Sequence, residues 1–228
     1  MKKLIILNHK MNLEYDEVYS YMDRLNKIET NHNIVVLPSN LYLESFMNHC
    51  TWGVGAQNVF YAIDGNYTGE ISTLQLKSLG VEYAMIGHYE RKKYFHEKNL
   101  QIHKKLEACL DANIMPILCF GETGKKEDII ASLEELLEGI TNIDFIIFAY
   151  EPLKVTEKED IKRIEEQISM IYDYLREKYH SIPNIVYGGG IDRENISSLL
   201  QLEKLNGILI GKLSANIEKI EKLIKTLD

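Results

Sequence analysis

Residue Glu151 of the 228-residue chain lies just beyond a run of five apolar residues, Phe-Ile-Ile-Phe-Ala at residues 145–149. Such a run indicates a strand buried on both faces, as in a parallel sheet covered by helices. Pro152 comes next, and its fixed φ and missing N–H end the strand. A carboxylate held rigidly at that point suits a general base. The alternative, which is commoner for a glutamate at a strand end, is that Glu151 opens a loop and points into water.

Two further polar residues follow other apolar runs. Lys10 lies just beyond Asn8, where the first run ends, and its ammonium would attract an anionic substrate such as a phosphate ester. His88 precedes a predicted short helix at residues 89–94. The positive potential of a helix N-terminus favours the neutral imidazole, which can donate a hydrogen bond to a carbonyl. A surface lysine and a structural histidine are the simpler alternatives.

Two glycine-containing segments could bind phosphate through backbone N–H groups. Residues 188–190 are three consecutive glycines, Gly188, Gly189 and Gly190, and Gly211 and Lys212 follow the last apolar run. The loops after the last two strands of a parallel barrel commonly bind phosphate. A glycine run considered alone more often marks only a turn.

These residues must be positioned by the elements around them, and short apolar runs alternate eight times with longer segments. We predict strands at residues 3–8, 34–38, 53–58, 83–87, 114–119, 145–151, 184–188 and 207–211. Amphipathic helices are predicted at residues 14–28 and 158–179. This alternation, without a linker, predicts one α/β domain over residues 1–228 that forms a closed eight-stranded parallel (β/α)8 barrel. An open doubly wound sheet is the alternative. Because barrel active sites form where strands end, the polar residues would meet at one mouth.

Composition sets further limits. The chain is 45% hydrophobic and 26% charged, and its net charge of −8 argues against a nucleic-acid surface. No apolar run reaches the ~20 residues that cross a bilayer, and the apolar block at residues 4–7 is too short for a secretory signal. We therefore expect a cytoplasmic protein that binds neither nucleic acid nor membrane. Cys50, Cys109 and Cys119 are widely spaced, so we expect free thiols rather than disulfides or a metal cluster.

Eight motifs, taken in chain order, closely resemble the triosephosphate isomerase family. They are Asn-His-Lys-Met-Asn at 8–12, Gly-Ala-Gln-Asn at 55–58, Tyr-Thr-Gly-Glu at 67–70, Ile-Gly-His at 86–88, Glu-Arg at 90–91, Cys-Phe-Gly-Glu at 119–122, Ala-Tyr-Glu-Pro at 149–152 and Tyr-Gly-Gly at 187–189. The resemblance covers nearly the whole chain. It implies a TIM barrel that interconverts dihydroxyacetone phosphate and D-glyceraldehyde 3-phosphate through an enediolate, without a metal or cofactor.

The resemblance also implies the role of each residue. Glu151 would be the base, His88 the neutral electrophile and Lys10 the residue that holds the substrate electrostatically. The pairing of a Glu base with a neutral His is the known arrangement of this family and is not deduced from the spacing. The implied substrate-binding residues are Asn8, Lys10, Gly189, Gly190, Gly211 and Lys212. The implied supporting residues are Glu90 and Cys119, besides Asn8.

The chain departs from the family pattern at four places. Residues 153–160, which follow the base, lack the glycines and the tryptophan of the family's phosphate-closing lid. Tyr89 replaces a small serine and puts a bulky phenol near the base, and Gly190 and Lys212 also differ from the family residues. These departures leave open an isomerase of another small sugar phosphate, for example a four-carbon ketose phosphate. A non-catalytic barrel that binds ligand or protein is the third possibility, and the intact catalytic set argues against it.

The resemblance further implies a homodimer. Thr68, Gly69 and Glu70 match the family's interdigitating loop, which packs beside the catalytic residues of the neighbouring subunit. The connection at residues 61–69 contains two tyrosines and an isoleucine, so it would leave apolar surface in water unless a partner covered it. A loop folded back onto its own barrel is the alternative.

Overall fold

A computed structural model describes residues 2–153 and 161–227 of the chain. Within these residues the strands are β1 (Leu4–Asn8), β2 (Asn33–Leu37), β3 (Gly53–Ala56), β4 (Tyr83–Ile86), β5 (Met115–Phe120), β6 (Ile147–Tyr150), β7 (Asn184–Tyr187) and β8 (Gly207–Ile210). Each pairs in parallel with the next, and β8 pairs in parallel with β1. The prediction of a closed parallel barrel is confirmed, and the open sheet is excluded by the β1–β8 pairing.

Helices cover the outside of the barrel. They are α1 (Tyr15–Leu25), α2 (Leu43–His49), α3 (Thr73–Ser78), α4 (Tyr89–Phe95), α5 (Asn99–Asp111), α6 (Lys126–Leu136), α7 (Ile161–Tyr179), α8 (Ile196–Gln201) and α9 (Ile217–Ile224). The helix predicted at 14–28 ends at Leu25, although Ile28 still packs against the core. The helix predicted at 158–179 is described from Ile161 onward, and residues 158–160 lie outside the described ranges. No helix in those ranges is long and apolar enough to cross a membrane.

Side chains alternate between two buried layers along each strand, because successive residues of a strand point to opposite faces. On β1, Ile6 belongs to the cluster inside the barrel, whereas Ile5 and Leu7 pack against the helices. On β5 and β6, Cys119 and Ala149 belong to the interior cluster. The same alternation places Asn8, the last residue of β1, and Glu151, the first residue after β6, on the interior side of the mouth.

Closure of the barrel depends on a glycine at the first position of β8. A Cβ atom at Gly207 would lie 2.0 Å from the carbonyl oxygen of Leu4, a backbone atom of β1. That backbone cannot move aside without breaking the β1–β8 pairing. We therefore expect Gly207→Ala to lower the free energy of unfolding by about 3 kcal/mol or more, measured by urea denaturation.

Gly139→Ala is the matched control for this prediction. A Cβ atom at Gly139 meets nothing within 4 Å, so this variant carries only the cost of a side chain at φ +72°. That cost is about 1 kcal/mol. Equal losses in the two variants would contradict the closure argument.

Candidate active site

Glu151 is held in a buried position directly after β6. Its backbone N–H donates to the Phe120 carbonyl over 2.9 Å, which extends the β5–β6 pairing by one residue. The residue is only 9% exposed, so Glu151 does not point into water. Its Oε1 atom lies 3.6 Å from Nε2 of His88, which is too long for a hydrogen bond. Its Oε2 atom has no hydrogen-bond partner among the described residues.

The surroundings of Glu151 make its carboxylate more basic. Burial raises the pKa of this carboxyl above its ordinary value of 4.5, and the charge of Glu122 acts in the same direction. A hydrogen bond from Cys119 and the charge of Lys10 act against this rise in the pKa. The pKa of the Cys119 thiol is raised well above 9.0, chiefly by burial and then by the charge of Glu151. Cys119 is therefore a neutral thiol that donates a hydrogen bond to the carboxylate.

His88 caps the N-terminus of α4, which begins at Tyr89 as predicted. Its Nδ1 atom accepts a hydrogen bond from the backbone N–H of Glu90 over 3.3 Å. An imidazole nitrogen can accept only when it carries no proton, so the ring is neutral and its proton lies on Nε2. This places the donor of His88 on the side that faces Glu151.

Lys10 adopts an unusual backbone conformation, with φ +53°. Its N–H donates to Oδ1 of Asn8 over 3.1 Å, and its carbonyl accepts from Nε2 of Gln57 over 2.8 Å. Its ammonium is 2.7 Å from Oε1 of Glu90 and would lie 3.7 Å from a Cβ atom at Gly211. Gln57 lies directly after β3, but within the strand predicted at residues 53–58, so no role was predicted for it.

His9 lies between Asn8 and Lys10 in sequence but outside the site. It is 1% exposed, and its ring packs edge-on against Tyr21 and Phe46 with centroid distances of 4.6 and 5.6 Å. Burial lowers its pKa to about 3. The alternation along β1 thus directs His9 into the layer between strands and helices.

The glycine segments lie on two sides of the mouth. Gly189 is buried and Gly190 is exposed with φ +51°, while Gly211 sits beside the Lys10 ammonium. Lys212 opens a short 3-10 helix at Lys212–Ala215 and is exposed. Within the described part of the chain, no ion pair or hydrogen bond joins the Lys212 side chain to the site.

Two departures from the family pattern have different outcomes. Tyr89 follows His88, but its ring lies 5.6 Å from the ammonium of Lys93 on the same helix, and no contact with Glu151 is found among the described residues. The segment after the base is described only as far as Leu153, whose N–H donates to the Glu122 carbonyl over 3.2 Å. The rest of that predicted segment, residues 154–160, lies outside the described ranges.

A cavity of about 310 Å³ adjoins the mouth. It is lined by Lys10 and His88 of the site and by Gly69 and Glu70 of the long loop after β3. Thr68, Gly69 and Glu70 are all exposed. In residues 2–153 and 161–227, no three His, Cys, Asp or Glu side chains are grouped so as to hold a metal ion.

A basic carboxylate therefore faces a neutral N–H donor, with an ammonium and glycine backbone beside them. A carboxylate over a carbon acid and a donor at the adjacent carbonyl are what proton abstraction next to a carbonyl requires. The ammonium and the glycine backbone suit an anionic group on the same substrate.

Comparison with known proteins identifies a family whose chemistry agrees with this site. The family model for triosephosphate isomerase matches residues 3–227. The chain belongs to the triosephosphate isomerase family. Proteins named triosephosphate isomerase from Thermodesulfovibrio yellowstonii and Aquifex aeolicus are 33% and 34% identical to it, over 98% of this chain and 99% of each relative. One from Orientia tsutsugamushi is 32% identical over 100% of this chain and 98% of its own length.

The alignments with these family members are longer than the chain itself. The match to the Thermodesulfovibrio yellowstonii protein extends over 244 residues, against 228 in this chain. That relative therefore has residues that this member of the triosephosphate isomerase family lacks.

Gly188 determines where the Glu151 carboxylate can lie. A Cβ atom at position 188 would be 2.7 Å from Cγ and 3.0 Å from Oε1 of Glu151. We expect Gly188→Ala to displace the carboxylate and lower kcat by about 10- to 100-fold, since a misplacement near 1 Å has that effect. Steady-state kinetics would measure this, with Gly80→Ala as a remote control, since a Cβ atom at Gly80 would meet only the end of the Met47 side chain, at 3.5 Å. Unchanged kcat in Gly188→Ala would contradict the proposed contact.

The raised pKa of Glu151 predicts a pH-dependent cost in stability. The folded protein keeps this proton at pH values where the unfolded chain has lost it, so stability falls as pH rises from 4.5 through the raised pKa. We expect the free energy of unfolding of Glu151→Gln to rise above that of wild type over that range. The two proteins should differ least near about pH 3. Urea denaturation at several pH values would measure the difference.

Glu221→Gln is the control with the opposite sign. Hydrogen bonds from Arg24 lower the pKa of Glu221, so this carboxylate stabilises the fold above its ordinary pKa. We expect Glu221→Gln to become slightly less stable than wild type as pH rises. A Glu151→Gln curve parallel to that of Glu221→Gln would refute the effect of burial.

Proposed function

We propose that this protein interconverts dihydroxyacetone phosphate and D-glyceraldehyde 3-phosphate. The proposal depends above all on Oε1 of Glu151 facing Nε2 of neutral His88 at 3.6 Å in a buried mouth. It is supported by the family match and by relatives that carry the name triosephosphate isomerase.

In the proposed reaction, Glu151 removes a proton from the carbon next to the substrate carbonyl. The electron pair of the broken C–H bond forms the carbon–carbon double bond of an enediolate, and the carbonyl oxygen becomes negatively charged. The Nε2–H of His88 donates a hydrogen bond to that oxygen. Glu151 then returns the proton to the former carbonyl carbon, which takes it up with the electron pair of the carbon–carbon double bond. The former carbonyl oxygen takes a proton from Nε2 of His88, and the hydroxyl on the other carbon gives its proton back to Nε2 as its oxygen becomes the new carbonyl, so that aldehyde and ketone exchange and His88 ends neutral.

The surroundings of the two residues suit these roles. A general base is most effective when its pKa lies near the working pH, and burial moves the pKa of Glu151 in that direction. The Lys10 ammonium would attract the substrate's phosphate and the developing charge. The backbone of Gly189, Gly190 and Gly211 would bind the phosphate through N–H groups. We assign a supporting role to Asn8 and Glu90, because both hold Lys10, and to Cys119, because it contacts Glu151. Lys212 would add only positive potential.

Replacing the base tests the proposed reaction directly. We expect Glu151→Gln to retain the fold and to lose at least about 10²-fold in kcat, because positioned base catalysis contributes about 10²- to 10⁴-fold. Turnover should be measured with three- and four-carbon sugar phosphates, since a preference for a four-carbon ketose phosphate would favour the other isomerase. Glu177→Gln, on the exposed face of α7, is the control. If the wild-type protein turned over none of these substrates, the isomerase proposal would be refuted and the non-catalytic barrel would be the remaining interpretation.

We infer that the protein is a homodimer. Met11 is 91% exposed and, with Phe95, borders the cavity beside Lys10 and His88. Ile63 and Tyr67 are also exposed in the long loop after β3. A two-fold arrangement would let Thr68, Gly69 and Glu70 of each copy enter the cavity of the other, and would cover these apolar side chains.

An exposed position at the inferred interface tests the dimer. We expect Met11→Glu to produce monomers and to lower activity, because the loop of a second copy would no longer pack beside Lys10. Light scattering and dilution assays would measure both effects. Ile182→Glu is the matched control, since Ile182 is 71% exposed and lies before β7, far from the cavity. A fully active wild-type monomer would refute the dimer.

The cytoplasmic location also stays a prediction. It is supported by the three free cysteines, of which Cys109 and Cys119 are buried and Cys50 is half-buried. Free thiols are typical of proteins in reducing compartments.

A further inference from the structure

Lys92 and Glu122 form an ion pair next to the site that the proposed reaction does not use. Lys92 lies on α4, one turn after His88, and Glu122 lies two residues after β5. The Lys92 ammonium donates a hydrogen bond to Oε1 of Glu122. The two side chains are 17% and 22% exposed, so most of the pair is removed from solvent.

The backbone of Glu122 is also joined to the chain that leaves the base. The Glu122 carbonyl accepts a hydrogen bond from the N–H of Leu153 over 3.2 Å, and Leu153 is two residues beyond Glu151. One step earlier, the Glu151 N–H donates to the Phe120 carbonyl. The segment that contains Glu122 therefore holds the backbone on both sides of Pro152.

The charges of the pair also reach the catalytic carboxylate. The Glu122 charge raises the pKa of Glu151, and the Lys92 charge lowers the pKa of the Cys119 thiol that hydrogen-bonds to Glu151. The other groups that face Glu151 are His88, which is neutral, and Lys10, whose charge is paired with Glu90. Because Lys92 pairs with Glu122, removing Lys92 would leave the Glu122 charge unbalanced near Glu151, and removing Glu122 would leave the Lys92 charge unbalanced near Cys119.

We propose that the Lys92–Glu122 ion pair is a positioning element of the active site: it holds the backbone that follows Glu151 and balances the charge beside that carboxylate. The proposal rests on the proposed isomerase function. The simpler alternative is a partly exposed ion pair that only adds a little stability, as most such pairs do. The positioning role and the purely stabilising role differ in one respect: only the positioning role requires the ion pair to affect the titration of Glu151.

The experiment compares Lys92→Met, Glu122→Gln and the double variant. The titration of Glu151 is followed by carbon-13 NMR of its carboxyl group, with Glu151→Gln used to assign the signal. We expect Glu122→Gln to lower the pKa of Glu151, because a like charge is removed, and Lys92→Met to raise it. The double variant should titrate close to wild type. Lys204→Met and Asp173→Asn break a remote ion pair of 2.7 Å and should leave the titration unchanged.

Kinetics separate the positioning effect from the charge effect. When kcat/KM is expressed relative to each variant's own value at neutral pH, it should be about threefold lower than wild type on the acid side for Lys92→Met and higher than wild type for Glu122→Gln, in line with a screened charge at short range. At neutral pH all three variants should lose kcat by about 3- to 10-fold with a smaller change in KM, because the backbone after Glu151 is less constrained. In the double variant, the pKa of Glu151 should return to the wild-type value, whereas kcat should stay below that of wild type.

Three outcomes would overturn the proposal. The first is a shift of the Glu151 titration in the same direction in both single variants, and the second is a shift no larger than in the control variants. The third is full kcat in all three variants. If Lys92→Met does not fold, Lys92→Gln replaces it in the same comparison. The NMR titration does not require turnover, so a protein without isomerase activity would refute the proposed function while the charge effect is still measured.

Discussion

The closed parallel pairing of β1 with β8 is the constraint on which the site depends. Closure brings the ends of strands that are distant in sequence to one mouth, where Lys10 after β1 lies against Gly211 after β8. The alternation of side chains along each strand then decides which residues enter that mouth. It directs Glu151 inward and His9 outward, although both have ionisable side chains. The chemistry at the mouth is therefore fixed by register as much as by residue type.

Burial gives the site its electrostatic character. A carboxylate in this mouth loses hydration, and the few groups near it compensate only in part, so its basicity rises. The neutral ring of His88 follows from its hydrogen bond with the start of α4. The two groups thus differ in protonation because one is desolvated and the other accepts from a backbone N–H. Their separation of 3.6 Å is too long for a hydrogen bond, so neither group is engaged by the other.

The sequence predicts the architecture well and the contacts within the site only in part. The strand predicted at residues 145–151 is observed at Ile147–Tyr150, because the apolar run that defines it also sets its register. The helix predicted to end at residue 28 ends at Leu25, since Ile28 packs against the core without being helical. The roles of Gln57 and Gly188 could not be predicted, because each depends on a contact with a residue far away in the chain.

Glu90 contacts both halves of the proposed machinery. Its carboxylate pairs with the Lys10 ammonium, and its backbone N–H fixes the proton of His88 on Nε2. In evolutionary terms this arrangement restricts how the enzyme can diverge: a substitution at position 90 would alter substrate capture and the electrophile together. Loops that do not touch Glu90 can vary with less effect on either. The departure from the family pattern at residues 153–160 follows β6 in the chain, whereas Lys10 and His88 follow β1 and β4.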